Sequence, residues 1–144
     1  MKTKYLVLIA VLSGTIAFMG CLGGSDSTGP AAGGELEGVW TYSWTDGSLF
    51  FTFTGANFNY TQYWSNPADT LTWSGTFTSN AAVTPKTIDY LCSSSPDTSD
   101  IGKTALGIYE LNSALTQLTL EFNDFGDTVR PTTFGSGALI LNKQ

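Results

Sequence analysis

From Leu36 onward, apolar and polar positions alternate with a period of two, broken by short clusters of Gly, Asp, Asn, Ser and Pro. That is the pattern of strands with one face in a core and one in water, joined by turns. Trp40, Tyr42 and Trp44 share a face of a first strand, and Asp46-Gly47 is a tight-turn signal. Leu49, Phe51 and Phe53 form the next face; Phe50 opposes them, so that end of the sheet is expected to be covered on both sides. Phe58, Tyr60, Gln62 and Trp64 alternate with Asn57, Asn59, Thr61 and Tyr63 in a third strand, ended by Ser65-Asn66-Pro67. Leu71, Trp73, Gly75 and Phe77 line one side of a fourth, with Thr and Ser on the other. A fifth strand is predicted near 87–91, a sixth over 104–111, a seventh over 115–122 and an eighth over about 133–142. The Ser/Asp/Pro-rich segment 93–103 is the longest loop and is expected to be the least ordered, and 123–132 forms a second loop.

Eight strands with short connections and no amphipathic helix exclude a parallel α/β plan. An open sheet of this size would expose pairing edges, which closure removes. The predicted fold is therefore all-β, an eight-stranded antiparallel up-and-down (lipocalin-like) barrel, with a two-sheet sandwich as the alternative. Gly75 and Gly107 fall inside strands, where a small barrel needs coiling or close backbone approach. An outer-membrane barrel is disfavoured, because the strands are short and their outward faces hold Thr, Asn and Ser.

Ahead of the alternating region stands a different kind of sequence. Lys2 and Lys4 precede an uncharged, mostly apolar run of fifteen residues, Tyr5 to Met19, followed by Gly20 and Cys21. The run is shorter than the roughly 20 residues a membrane-spanning helix needs, and its order is that of a secretory leader. A Cys directly after a small residue at the end of such a leader resembles a bacterial lipoprotein signal, with Cys21 as the lipid attachment site. The resemblance implies residues 1–20 as signal peptide and 21–35 as lipidated N-terminus and flexible linker, with 36–144 as the barrel domain. Two or more acyl groups make such an anchoring stable. Leu22, where Asp would signal retention, implies a lipid-anchored envelope protein at the outer membrane.

The charge balance narrows the partners. The chain has twelve acidic residues against six basic ones, two of which, Lys2 and Lys4, lie in the leader. The mature chain thus keeps four basic residues against twelve acids, a formal charge of −8. Such a surface offers no groove for a phosphate backbone, so nucleic acid is excluded as a partner. There is no histidine, hence no imidazole base and no Ser-His or Cys-His arrangement. With Cys21 lipidated, Cys92 has no disulfide partner and reads as a partly buried residue at a strand end. Asp97 and Asp100 share one loop, Asp124 and Asp127 the other, but neither follows the calcium-loop spacing; position 12 counted from Asp97 is Ile108. No metal, cofactor or catalytic residue is predicted, and the chain is read as a non-enzyme. Asp124-Phe125-Gly126 imitates a kinase motif without a phosphate loop to accompany it, and Phe125 is expected to tuck against the barrel mouth.

The segments LEGVW (36–40), FTFTGANF (51–58), WSGTFT (73–78), TPKTIDY (84–90), GKTALGIYEL (102–111) and RPTTF (130–134) occur in fixed order. Together they resemble a family of small extracellular domains of unknown function, abundant in planctomycetes, with a lipocalin-like barrel. The resemblance implies the fold already reached from periodicity and brings no catalytic residues with it. It also implies a barrel-closing pair: a Trp at the start of the first strand under an Arg from near the last, here Trp40 and Arg130.

Trp40, Trp44, Phe51, Tyr60, Trp64, Trp73 and Phe77 all fall on predicted apolar faces. They would either fill an eight-stranded barrel or line a pocket in it, and the number of large rings favours a filled or shallow interior. Should a cavity exist, Tyr60, Gln62, Trp64, Trp73 and Phe77 are the candidate ligand-lining residues. The function expected first is an envelope-anchored interaction or structural module, held to the membrane by lipid and meeting an envelope protein. The alternative is a carrier of a small hydrophobic or aromatic ligand, and an enzyme is a distant third.

Overall fold

Eight strands follow one another in chain order around a closed antiparallel barrel. The computed structural model describes residues 34–144; the expected leader, Cys21 and the linker as far as Gly33 lie outside the described residues. The strands are β1 (Gly38–Trp44), β2 (Gly47–Thr54), β3 (Asn57–Ser65), β4 (Ala68–Asn80), β5 (Lys86–Ser94), β6 (Thr104–Leu111), β7 (Gln117–Phe122) and β8 (Leu139–Lys143). The pairing Trp40↔Lys143 and Thr41↔Asn142 joins β8 to β1 and closes the ring. A sandwich would leave that seam open, so the barrel is the correct alternative. Closure removes the edges that a sheet of this size would otherwise present.

Period-two alternation fills the interior. Trp40, Leu49, Phe51, Phe53, Phe58, Phe77, Ile88, Tyr90, Tyr109, Leu118, Leu120 and Leu141 are buried in one cluster. Outside, Thr61 Oγ1 donates to Asn59 Oδ1 at 2.9 Å and lies 3.3 Å from Thr72 Oγ1, so this part of the wall is a polar ladder suited to water.

One end of the barrel is plugged. A short 3-10 turn at Gly34–Leu36 sets Leu36 across it, and the indole N–H of Trp40 donates to the Leu36 carbonyl at 2.7 Å. Beside this plug, Glu35 accepts from Lys86 Nζ at 2.7 and 2.8 Å and from the Tyr109 hydroxyl at 2.8 Å. Burial pushes the Glu35 carboxyl up, but the bonds from Lys86 and Tyr109, with the Lys86 charge, outweigh it and leave the group below its ordinary 4.5. A carboxylate held lower in the fold than in the open chain stabilises the fold above its open-chain value. That contribution disappears as pH falls through the folded value. Glu35→Gln is therefore expected to lower the melting temperature at neutral pH and to lose that effect as pH falls below the ordinary 4.5 and through the lowered folded value. The neutral-pH difference should be modest, about 1 kcal/mol or less for a partly exposed pair. Thermal melts of both proteins across this range check it, and a gap that does not narrow in acid contradicts the assignment.

Three local expectations are corrected. Phe50 is exposed: it points outward from β2, and no described residue covers it there. The last strand begins at Leu139, not near 133: residues between β7 and β8 run without strand pairing, with Pro131, Gly135 and Gly137 among them. The loop expected to be least ordered is tied down. Asp97 caps a 3-10 turn at Thr98–Asp100 by accepting from Ser99 N, and Cys92 exchanges backbone bonds with Gly102 and Lys103.

Candidate functional site

In an up-and-down barrel the connections alternate between the two ends. The β1–β2, β3–β4, β5–β6 and β7–β8 connections therefore share the end opposite the Leu36 plug. At that open end a cavity of about 560 Å³ descends between the strands. Phe51, Phe58 and Tyr90, which belong to the buried core, line its inner part. Tyr60 (β3), Trp73 (β4) and Phe122 (β7) are half-buried rings on its walls.

The rings are held by one another. Phe51 stacks on Tyr60 with centroids 4.5 Å apart, and Tyr60 meets Trp73 at 5.1 Å and 37°. Phe122 stands almost perpendicular to Tyr60, at 84°, and to Phe51, at 86°. Stacked and edge-on neighbours of this kind add to what area burial alone contributes. The result is a corner of ring faces rather than a parallel stack.

Polar groups sit at defined places on this apolar surface. Gln62 Nε2 donates to the Tyr60 hydroxyl. Burial pushes the Tyr60 phenol up to about 12 against the opposing effect of that bond, so it stays protonated at neutral pH. Deeper in, burial raises the Tyr90 phenol well above its ordinary range, and its oxygen has no hydrogen-bond partner among the described residues. The tied-down β5–β6 loop contributes Asp97, Ser99, Asp100 and Lys103 to the rim. Asp100 Oδ2 accepts from Ser95 Oγ at 2.9 Å and, weakly, from the Trp73 indole N–H at 3.4 Å. That contact links the rim loop to the wall. Asn123, Asp124 and Phe125 complete the opening from the far side, and Phe125 packs against the core as the sequence suggests.

The sequence-derived lining residues divide by depth. Tyr60, Gln62 and Trp73 line the cavity. Trp64 does not; it lies beyond them, edge-on to Trp44 at 6.4 Å and 67°. Phe77 is also outside the cavity, buried toward the plugged end against Phe53 at 4.9 Å. Rim residues Asp100, Lys103 and Asp124 and the wall residue Phe122 were not among the candidates. The expected Trp40–Arg130 pair is replaced by another. The cation over the Trp40 ring is Lys143, 5.0 Å from its centroid. Arg130 stands on the outer wall, where Nη1 donates to the Ile88 and Gly107 carbonyls at 3.1 and 2.6 Å and Nη2 pairs with Asp89. Its segment crosses outside β5 and β6 before β8 begins, so the guanidinium cannot meet a ring that points inward.

Cys92, the one free cysteine among the described residues, is buried. Burial raises its thiol, and Sγ–H donates to the Ser94 carbonyl at 3.4 Å, so it is held as an inert thiol. No group of three or more His, Cys, Asp or Glu side chains suited to a metal ion occurs among the described residues. No family model matches the chain, and neither a curated protein nor a solved structure matches it. The architecture is an all-β, eight-stranded, up-and-down closed barrel of lipocalin-like form, open at one end onto an aromatic cavity.

Proposed function

We propose that this protein is a lipid-anchored envelope protein of the small extracellular lipocalin-like kind, whose barrel binds a small, flat, largely apolar ligand through its open end. The observation that supports binding is the cavity of about 560 Å³, walled by Tyr60, Trp73 and Phe122 and fitted with a few fixed polar groups. Ligand sites of small molecules have this make-up, with volumes of roughly 300–1,000 Å³. The aromatic load therefore does not fill the barrel: rings pack its lower part and leave the upper part open. This moves the balance from an interaction module toward a carrier. The anchor rests on Cys21 and the leader-like sequence before it. The chain's lack of histidine favours binding over chemistry.

An interaction role retains one supporting feature. Phe50 and Tyr63 are both exposed, and the β2–β3 register makes them diagonal neighbours on the outer wall. Two rings form a smaller patch than protein interfaces generally use.

Titration of the protein with 2-naphthol, a neutral flat probe, tests the reading through tryptophan fluorescence and calorimetry. Saturable one-to-one binding is expected, weakened by about tenfold or more in Trp73→Ala, which removes a wall. Binding without saturation, or unaltered by Trp73→Ala, would sink the cavity as the site.

A further inference from the structure

Three of the four cations among the described residues lie away from the open end of the barrel. Lys86 is engaged by Glu35 beside the plug, Lys143 lies over Trp40 at the same end, and Arg130 is paired with Asp89 on the outer wall. At the open end the connections and the start of β4 gather Asp46, Asp69, Asp97, Asp100, Asp124 and Asp127; with Arg130 turned onto the outer wall, the cation among them is Lys103. Three of those aspartates, Asp97, Asp100 and Asp124, line the cavity itself. Asp100 uses Oδ2 for Ser95 and Trp73, and Oδ1 takes no hydrogen bond among the described residues.

From this we infer that the cavity selects a ligand bearing an organic ammonium group, seated against the aromatic corner with the rim carboxylates around it. Three features converge on that class. The faces of Trp, Tyr and Phe are the negative part of the ring quadrupole and attract a cation. The rim has an excess of carboxylates, which concentrates cations at the mouth and repels anions. The walls are apolar, so a cation must shed water to enter. A weakly hydrated ammonium with carbon substituents can do so, whereas a small metal ion would need a set of oxygen ligands, and no such group of three occurs among the described residues. The indole N–H of Trp73 points toward Asp100, so a carboxylate stands beside the most favourable ring for a cation.

This inference rests on the cavity being a ligand site, and a matched series of probes separates the two statements. The naphthalene ring is kept while the substituent changes: 2-naphthol is neutral, 2-naphthyltrimethylammonium a cation and 2-naphthoate an anion. Calorimetry on the whole protein at low salt should place the cation about tenfold or more tighter than the neutral probe, with the anion weakest. The cation's advantage should shrink with added salt, because the rim carboxylates are solvated. Asp124→Asn should lower the cation-to-neutral affinity ratio and Lys103→Gln should raise it, each by a few fold. Asp124 and Lys103 make no side-chain bond to the wall rings, so these variants should fold, which thermal melts verify. Equal binding of cation and neutral probe, or preference for the anion, overturns the ammonium inference and leaves the cavity reading standing. If none of the three binds, both fall. A cation preference that Asp124→Asn and Lys103→Gln leave unmoved also overturns the rim's role.

Discussion

Trp40→Ala is expected to cost the barrel about 3–5 kcal/mol, the range for removing a large buried aromatic. For a domain near 100 residues that lowers the melting temperature by roughly 15–25 °C, enough to leave much of the chain unfolded at physiological temperature. The effect has three sources. Trp40 is 0% exposed and is among the largest side chains in the core, so its loss leaves a cavity at the plugged end. Its indole N–H is the donor that holds the Leu36 carbonyl, and without it the 3-10 turn loses its tie to the barrel. Trp40 is also one of the two β1 residues paired with β8, so disorder here loosens the closing seam. Trp40→Phe keeps most of the volume but abandons the Leu36 carbonyl, and should cost about 1–3 kcal/mol. Lys143→Ala removes only a partly solvated cation from the ring, about 0.5–1 kcal/mol. Thermal melts of the three variants give the ordering, and a Trp40→Ala protein melting within a few degrees of wild type would contradict the plug.

Which parts of this were legible in the sequence follows from what a period of two encodes. Alternation says which face a side chain occupies, and it assigned Trp40, Phe51, Tyr60, Trp73 and Phe77 correctly to the interior side. It does not say how far along the barrel axis a residue sits. Tyr60, Trp64, Trp73 and Phe77 belong to that same side of β3 and β4, yet only Tyr60 and Trp73 are level with the cavity. Depth is set by register and by closure, which are properties of several strands together. The region before β8 misled for another reason: Thr133, Phe134 and the residues around Gly135 and Gly137 alternate in polarity but never find a ladder to join. Arg130 was misplaced with it. The rim was missed because loops have no periodicity, although strand parity alone puts the four odd-to-even connections at one end. The excess of Asp in and beside those connections is legible from the same parity.

Gly75→Ala is expected to be nearly as damaging as the loss of Trp40, at about 3 kcal/mol, by the opposite mechanism. A methyl group on Gly75 would lie 1.9 Å from the Leu91 carbonyl oxygen and 3.0 Å from the edge of the Phe58 ring. The oxygen belongs to the backbone of β5, so no rotamer change relieves the contact, and the two strands must separate. They meet here at a register shift between Ser74 and Gly75, where coiling brings the chains unusually close. Overpacking that only backbone movement can relieve typically costs 1–3 kcal/mol, and sometimes more. Gly55 provides the contrast. It sits in the β2–β3 turn at φ +57° with nothing near the position of an added methyl, so Gly55→Ala meets only the left-handed backbone cost, about 1–2 kcal/mol. Asn, which tolerates that conformation, should recover much of the loss at position 55. At position 75 any side chain collides, and larger ones should be worse. The consequence reaches the cavity, because Gly75 is two residues from Trp73 on the same strand and moving β4 moves the wall. Gly75→Ala should therefore lose both melting temperature and naphthyl-probe binding, whereas Gly55→Asn keeps both. A Gly75→Ala protein that melts normally would mean that β4 and β5 are not in the contact on which the shape of this barrel depends.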